Sequence, residues 1–352
     1  MFEKNRSQEA SPIDAQGWEE RFSALPESTR ADLMHSWETM EELIQRFERA
    51  ASEETLNRVE KITPRDEASA KAQAGEIHEF FGKVFLPEEN MDPMQQEIAL
   101  TQGIVDTYVV RENGEIISAL QAQLLHLPTR KGMTPEAMFA VWYVETNPEY
   151  VGKPVTRELV IQSMRGSLAH AKENMIKMKG IIGETEPEVE KLFNRYGVER
   201  LYYTDKKGNI VEMPYLAPPE DEVSEGAPAH IALRLFDDRR QMPWNEFMGV
   251  IDTIYSQYTR PEFFTPEYLK FAEEYYTHLS DEQRQEVSTP NITPAKAERY
   301  RQRYMKKAEK IKERLQNESK KSVDGQLFFM SERERRARRE QGDTIIDWEE
   351  KE

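Results

Sequence analysis

Two short apolar runs on either side of one long amphipathic segment constrain the fold of this chain most. Residues Met138 to Val144 read Met-Phe-Ala-Val-Trp-Tyr-Val, which predicts a strand that is buried on both faces. Residues Val155 to Met175 carry apolar side chains along one side of a helix, and a second apolar run follows at Lys179 to Gly183. A strand, a long helix and a second strand form a crossover, and two strands connected in this way lie parallel.

Further strand-like runs surround this crossover. Asn113-Gly114 separates two β-rich runs, and because both turn positions tolerate positive φ, the pair predicts a hairpin. The other predicted strands are Leu56 to Ile62, Glu199 to Thr204, Ile210 to Tyr215 and Ala229 to Phe236. We therefore predict an α/β fold, with a mixed and largely antiparallel sheet, one parallel βαβ crossover and flanking helices.

Both flanks of this region have helical patterns. Residues 27 to 50 place apolar side chains at spacings of three and four, and the pattern returns beyond Pro243. The predicted regions are a helical N-terminal extension (1–55), the α/β domain (56–237), a helical C-terminal region (238–320) and a poorly ordered tail (321–352). The helical extensions could also support homo- or hetero-oligomers.

Composition excludes several classes of protein. The chain has no cysteine, which rules out disulfides, thiolate metal sites and a cysteine nucleophile. Its six histidines are scattered, so we predict no metal site. The N-terminus resembles no secretory signal and no apolar run reaches 18 residues, so we expect a cytoplasmic protein with no membrane contact.

The net charge is −17, which argues against a surface devoted to nucleic acid. Residues 295 to 340 are the exception, with 16 Lys and Arg against 8 Asp and Glu. Glutamates are interleaved with the basic side chains of Lys296 to Lys321, a pattern typical of a solvated helix with internal ion pairs. The alternative for this helix is contact with nucleic acid, which we regard as the weaker interpretation.

The turn between the buried strand and the long helix carries the candidate chemistry. A helix that begins directly after a strand presents unpaired backbone N–H groups and a positive helix end at one point, where an anion can bind. Gly152 lies in this turn, and Lys153 and Arg157 add positive charge. The alternative for Gly152 is an ordinary turn at the start of a helix.

These residues resemble the GNAT superfamily of N-acetyltransferases, whose signature turn reads Arg/Gln-x-x-Gly-x-Gly/Ala and holds the pyrophosphate of acetyl-CoA. Residues Glu149 to Pro154 occupy that register, and Arg157-Glu158-Leu159 follows. The resemblance extends from Leu56 to Phe236. It implies that acetyl-CoA is the co-substrate and that the acceptor is an amine, on a small molecule or on a protein.

The resemblance also implies roles for individual residues. It places the co-substrate against Val144, Val151, Gly152, Lys153, Val155, Thr156 and Arg157. Backbone N–H groups of the strand from Met138 to Glu145 are the expected oxyanion donors. The candidate catalytic side chains are Glu145 and Glu184, at the ends of the two parallel strands, and Tyr196, near the end of a predicted helix from Glu188.

Three residues depart from the pattern of the family. Glu149 replaces the first Arg or Gln, and Pro154 replaces the second small residue and removes one N–H group. Phe193 stands where many members carry the tyrosine that protonates the leaving thiolate. These departures leave open a second hypothesis, a GNAT-fold interaction or regulatory protein that has lost catalysis. Glu145 and Glu184 could likewise be solvated carboxylates at strand ends.

Overall fold

The computed structural model describes residues 15–49, 58–83, 85, 91–185, 190, 193–194, 196–216, 228–237, 239–276 and 293–347. Its α-helices are α1 (Ala15–Ser23), α2 (Glu27–Glu48), α3 (Glu67–Phe81), α4 (Pro93–Thr101), α5 (Val155–Glu173), α6 (Trp244–Tyr258), α7 (Pro266–Tyr276), α8 (Pro294–Ser319) and α9 (Glu332–Glu340). Short 3₁₀ turns lie at Pro148–Tyr150 and Pro261–Phe264. Of the helix expected from Glu188 to Tyr196, Glu190, Phe193 and Asn194 are described as helical.

Twelve strands form a sheet around the crossover. They are β1 (Val59–Lys61), β2 (Asp106–Glu112), β3 (Glu115–His126), β4 (Glu136–Thr146), β5 (Lys177–Thr185), β6 (Glu199–Thr204), β7 (Ile210–Glu212), β8 (Tyr215–Leu216), β9 (Pro228–Leu235), β10 (Gln241–Pro243), β11 (Gln326–Met330) and β12 (Ile345–Ile346). The main order is β1-β2-β3-β4-β5-β9-β6-β11-β10, with β7, β8 and β12 paired off this path.

The strand directions confirm the predicted fold class. β4 and β5 pair in parallel, α5 connects them, and the neighbouring pairs β2–β3, β3–β4 and β5–β9 are antiparallel. The predicted hairpin is also confirmed, because Glu112 pairs with Glu115 across Asn113 and Gly114. Both turn residues have positive φ, 52° and 89°, as a two-residue hairpin turn of this kind requires.

Helices cover both faces of the sheet. On one face, which we call the α2 face, α2 and α5 pack against the strands, and the Trp37 indole donates to the Ile176 carbonyl at 2.9 Å. On the other face, which we call the α3 face, α3 packs beside β3 and β4, and α6 and α8 pack over β5, β6 and β9. The N-terminal extension therefore shares the core of the α/β region.

The prediction of a poorly ordered tail from residue 321 is wrong for residues 326–346. β11 inserts between β6 and β10, and β12 pairs with β7. Leu327 and Phe329 are buried in β11, so this short apolar run gains enough contact to order a strongly charged segment. The sheet thus continues beyond the predicted boundary at residue 237.

A buried ion network fastens the tail to the sheet. Arg335 of α9 forms an ion pair with Glu190 and donates to the Tyr202 hydroxyl at 3.0 Å. Arg200 of β6 contacts Glu190 at 2.9 Å and Glu212 at 3.2 Å. A buried charge is tolerated when it is paired and hydrogen-bonded. Removal of one partner leaves the remaining charges buried without full compensation, which is strongly destabilising.

We predict that Arg335→Ala destabilises the fold by about 3 kcal/mol, because it leaves the Glu190 carboxylate buried with one cation fewer. Urea unfolding of the variant and of the wild-type chain measures this loss. Arg333→Ala is the matched control, since Arg333 lies on the same helix and is exposed. An equal, small effect of both substitutions would contradict the role given to the buried network.

Candidate functional site

The parallel strands β4 and β5 separate before either of them ends. Their pairing stops at Val141 and Gly183. β4 nevertheless continues to Thr146 in register with β3, and β5 continues to Thr185 in register with β9. Because each strand stays bound to its outer neighbour, the two diverge. Beyond Val141, no strand in the described part of the chain pairs with the edge of β4 that faces β5.

A bulge lies at the point of separation. Gln121 pairs with Tyr143 and Ala122 pairs with Val141, so Trp142 is an extra residue in β4. Its indole donates to the Gln123 side chain at 3.2 Å. Trp142 and Tyr143 consequently both pack on the α3 face. Bulges of this kind redirect the backbone groups of a strand and are frequent beside active sites.

The turn before α5 is open. Gly152 has a φ of 85°, and a methyl group added to it would meet no atom within 4 Å. The neighbouring Val151 is 71% exposed. Helix α5 begins at Val155 after Pro154, and among the described residues no side chain caps its first N–H groups. The N–H groups of Val151 and Lys153 donate to the Pro148 and Tyr150 carbonyls, so the candidate donors for an anion are Gly152 and the first N–H groups of α5.

Lys153 and Arg157 place positive charge beside this helix start. The Lys153 ammonium lies over the Tyr150 ring, 3.9 Å from its centre, which holds the side chain close to the turn. Arg157 is half-buried in the first turn of α5. Val155 is buried against the core, so it contributes its backbone to this region.

A chain of hydroxyl groups connects the end of β4 to the start of α5. The Ser118 hydroxyl donates to the Glu145 carbonyl at 2.8 Å, so it must accept from Thr146, whose oxygen lies 2.7 Å away. The Thr146 proton is thereby used, and Thr146 accepts in turn from Thr156 at 2.6 Å. The Thr156 hydroxyl therefore points inward, and only its backbone N–H can serve an anion.

The two candidate carboxylates lie on the α3 face. Side chains two positions apart in a strand lie on the same face of the sheet. Glu145 therefore shares the α3 face with Tyr143, and Glu184 shares it with the buried Ile182. Glu145 is half-buried, and burial raises its pKa above the ordinary value although the Thr146 N–H donates to it at 2.9 Å. Glu184 accepts from the Tyr215 hydroxyl at 2.8 Å.

The structure does not bring Tyr196 to this place. Its ring stacks on Phe47 of α2, with the ring centres 3.5 Å apart, on the opposite face of the sheet. Phe193 lies nearer the point where β4 and β5 separate. If Gly183 carried a methyl group, that group would be 4.0 Å from the Phe193 ring. The helix therefore presents a phenylalanine at the position where the resemblance implied a proton donor.

Three residues of the site were missed from sequence. Ser118 and Thr146 anchor α5, but single hydroxyl residues at the two ends of a hairpin give no recognisable motif. Trp142 was missed because it lies in an apolar run, and no residue type marks a bulge.

Among the residues described, no group of three His, Asp or Glu side chains could hold a metal ion, and no helix is long and apolar enough to cross a membrane.

We predict that Thr156→Val lowers the free energy of unfolding by about 1 to 2 kcal/mol, because the buried Thr146 oxygen loses its donor while the shape of the side chain is kept. Thermal or urea unfolding measures the change. Thr101→Val is the control, since Thr101 is exposed at the end of α4. Equal stability of the two variants would contradict the directed hydroxyl chain.

We also predict a pH signature for Glu145. Because its pKa is raised in the folded chain, the folded state binds more protons than the unfolded state between the two pKa values. Stability therefore falls as the pH rises from the ordinary glutamate pKa through the folded one. Glu145→Gln keeps the acceptor for the Thr146 N–H and should remove this fall.

Urea midpoints of the wild-type chain and of Glu145→Gln between about pH 4 and 7 test this signature. Glu149→Gln is the control, because Glu149 is exposed in the same turn. Parallel curves for the wild-type chain and Glu145→Gln would show that Glu145 titrates as a solvated carboxylate.

The chain is similar to solved structures of acetyltransferases. NAA60 from Arabidopsis thaliana in complex with acetyl-CoA shares 9% identity at a TM-score of 0.36, over 51% of this chain and 98% of that one. A GNAT-family acetyltransferase from Streptococcus pneumoniae shares 12% identity at a TM-score of 0.32, over 50% and 98%. No family profile and no curated protein matches. At these values the comparisons assign no residue and no activity to this chain.

Proposed function

We propose that this chain is a CoA-dependent N-acyltransferase that moves an acetyl group from acetyl-CoA to an amine by direct attack. The observation that carries this proposal is the separation of β4 from β5 beside the start of α5. It supplies an unpaired strand edge and an anion site next to each other. A CoA thioester has two matching parts, an extended chain with amide groups and a pyrophosphate.

The co-substrate would bind in two places. Its pyrophosphate would meet the N–H groups of Gly152 and of Val155 to Arg157, with the Lys153 side chain adding charge, because the N–H groups of Val151 and Lys153 donate within the turn. Its pantetheine amides would pair with the free edge of β4 near Val144, in the manner of an added strand. Pro154 contributes no N–H group, so fewer donors remain than in the family pattern.

The reaction would join the amine nitrogen to the thioester carbonyl carbon. The C–N bond forms, the carbonyl oxygen becomes an oxyanion, and the C–S bond then breaks to release the CoA thiolate. Backbone N–H groups at the Trp142 bulge would stabilise the oxyanion. The proton of the amine would pass to a carboxylate, and the thiolate would take a proton from water, because Phe193 carries no hydroxyl.

Glu145 is the favoured base and Glu184 the second candidate. Glu145 lies at the separated end of β4, and its raised pKa moves it toward the range in which a carboxylate can take a proton efficiently. Glu184 already accepts a hydrogen bond from the Tyr215 hydroxyl, so one of its oxygens is occupied. Glu145→Gln should therefore cost activity more than Glu184→Gln.

The acceptor would approach from the α3 face. Phe81 and Phe85 pack on Tyr143, and their ring centres lie 5.4 Å and 5.5 Å from the centre of the Tyr143 ring. Helix α7 closes the neighbouring side, where the Tyr268 hydroxyl lies 3.0 Å from Asp92. The C-terminal helical region is thus a wall of the proposed acceptor site, and its contacts would help to select the amine.

Calorimetry with acetyl-CoA tests the binding step. We expect saturable binding, and Lys153→Glu should weaken it at least tenfold because it places a negative charge beside the pyrophosphate. Lys131→Glu makes the same charge change at an exposed position between β3 and β4 and should leave the affinity unchanged. Absence of heat at millimolar acetyl-CoA, or equal loss in both variants, would contradict the proposal.

A catalytically inactive interaction protein is the second candidate, favoured by Phe193 beside Gly183. Release of free thiol from acetyl-CoA, measured with a panel of amines, polyamines and peptide N-termini, separates the two. Turnover of any acceptor that Glu145→Gln abolishes supports the enzyme. Tight binding of acetyl-CoA without turnover of any acceptor supports the inactive module.

A further inference from the structure

A cavity of 240 Å³ lies beside β9 and the turn before β6, and neither candidate carboxylate lines it. Arg234 of β9, which lines it, pairs with Ile181 on the α2 face, before the point where β4 and β5 separate. The cavity also contains Tyr196, the residue that the sequence resemblance had placed in catalysis. It is therefore a separate feature of the fold.

Four arginines line this cavity, and Glu199 is the one carboxylate among its lining residues. They come from distant parts of the chain, with Arg46 on α2, Arg234 on β9, and Arg239 and Arg240 in the turn before β10. The lining thus carries a formal excess of positive charge in a chain whose net charge is −17.

A backbone carbonyl group positions the guanidinium group of Arg234. Its guanidinium donates to the Tyr196 carbonyl and lies 3.5 Å from where a methyl group on Gly197 would stand. Gly197 has a φ of 71°, which closes the turn before β6 and leaves room for this approach. The guanidinium is consequently positioned before any ligand arrives, which lowers the entropic cost of binding.

Arg239 and Arg240 are anchored by carboxylates. Arg239 contacts Glu246 with both terminal nitrogens at 2.9 Å, and Arg240 lies 2.9 Å from Glu199 and 3.0 Å from Glu334. These pairs fix the cavity wall and compensate the charge of both arginines. Arg46 differs from them, because it forms no ion pair with any residue in the described part of the chain.

We propose that this cavity, which we call the Arg46 cavity, binds a multiply charged oxyanion of the phosphate class, either free phosphate or a phosphate monoester. Arg46 and Arg234 supply the binding groups, since guanidinium forks match the oxygens of phosphate in pairs. The Tyr196 ring borders the same cavity and leaves an apolar side for the organic part of an ester.

Calorimetry and thermal unfolding with inorganic phosphate and with phenyl phosphate test this proposal, with sodium chloride at equal ionic strength as the reference. We expect saturable binding, and Arg46→Ala should weaken it at least fivefold. Arg46 is exposed, so the variant should fold. Arg314→Ala, an exposed arginine on α8, is the matched control and should bind as the wild-type chain does.

Lys153→Glu separates this cavity from the turn before α5. It should leave phosphate binding intact, whatever it does to acetyl-CoA. Tighter binding of phenyl phosphate than of phosphate would identify an ester as the better ligand, and equal binding would identify the free ion. Absence of saturable binding, equal affinities of Arg46→Ala and Arg314→Ala, or loss of binding in Lys153→Glu alone would overturn the proposal.

Discussion

The divergence of β4 from β5 is the constraint on which the rest of the structure depends. A backbone N–H or C=O group inside a fold needs a partner, and an open edge within a sheet is costly unless water or a ligand fills it. Here the outer pairs β3–β4 and β5–β9 hold the two strands apart. The bulge at Trp142 and the α5 start lie directly beside the open edge, so strand geometry and helix electrostatics converge on one place.

Polar anchors keep this arrangement in register. The chain from Ser118 through Thr146 to Thr156 joins β3, β4 and α5 by hydrogen bonds with defined direction. The helical flanks add rigidity at a distance, with α2 packed along α5 and the tail fastened through Arg335. These contacts hold the strands and α5 in place on both sides of the open edge, while the turn at Gly152 stays exposed.

Much of this fold could be predicted from local patterns. The crossover and the Asn113-Gly114 hairpin follow from periodicity and turn chemistry, which act over few residues. The tail could not be predicted, because the burial of Arg335 depends on Glu190, which is far away in sequence. The Trp142 bulge could not be predicted either, because it lies in an apolar run and no residue type marks a bulge. The position of the Tyr196 side chain depends on the rotational phase of a helix, which residue type does not fix. Gly152 and Lys153 could be proposed for the site from sequence alone, because the chemistry of a turn and of a charged side chain is local.

The most direct test of the central claim is a map of backbone amide shifts by NMR as CoA is added. The account predicts that perturbations concentrate at two segments, Trp142 to Glu145 on the free edge of β4 and Val155 to Arg157 at the start of α5. Perturbations confined to the Arg46 cavity, or none at saturating ligand, would contradict it.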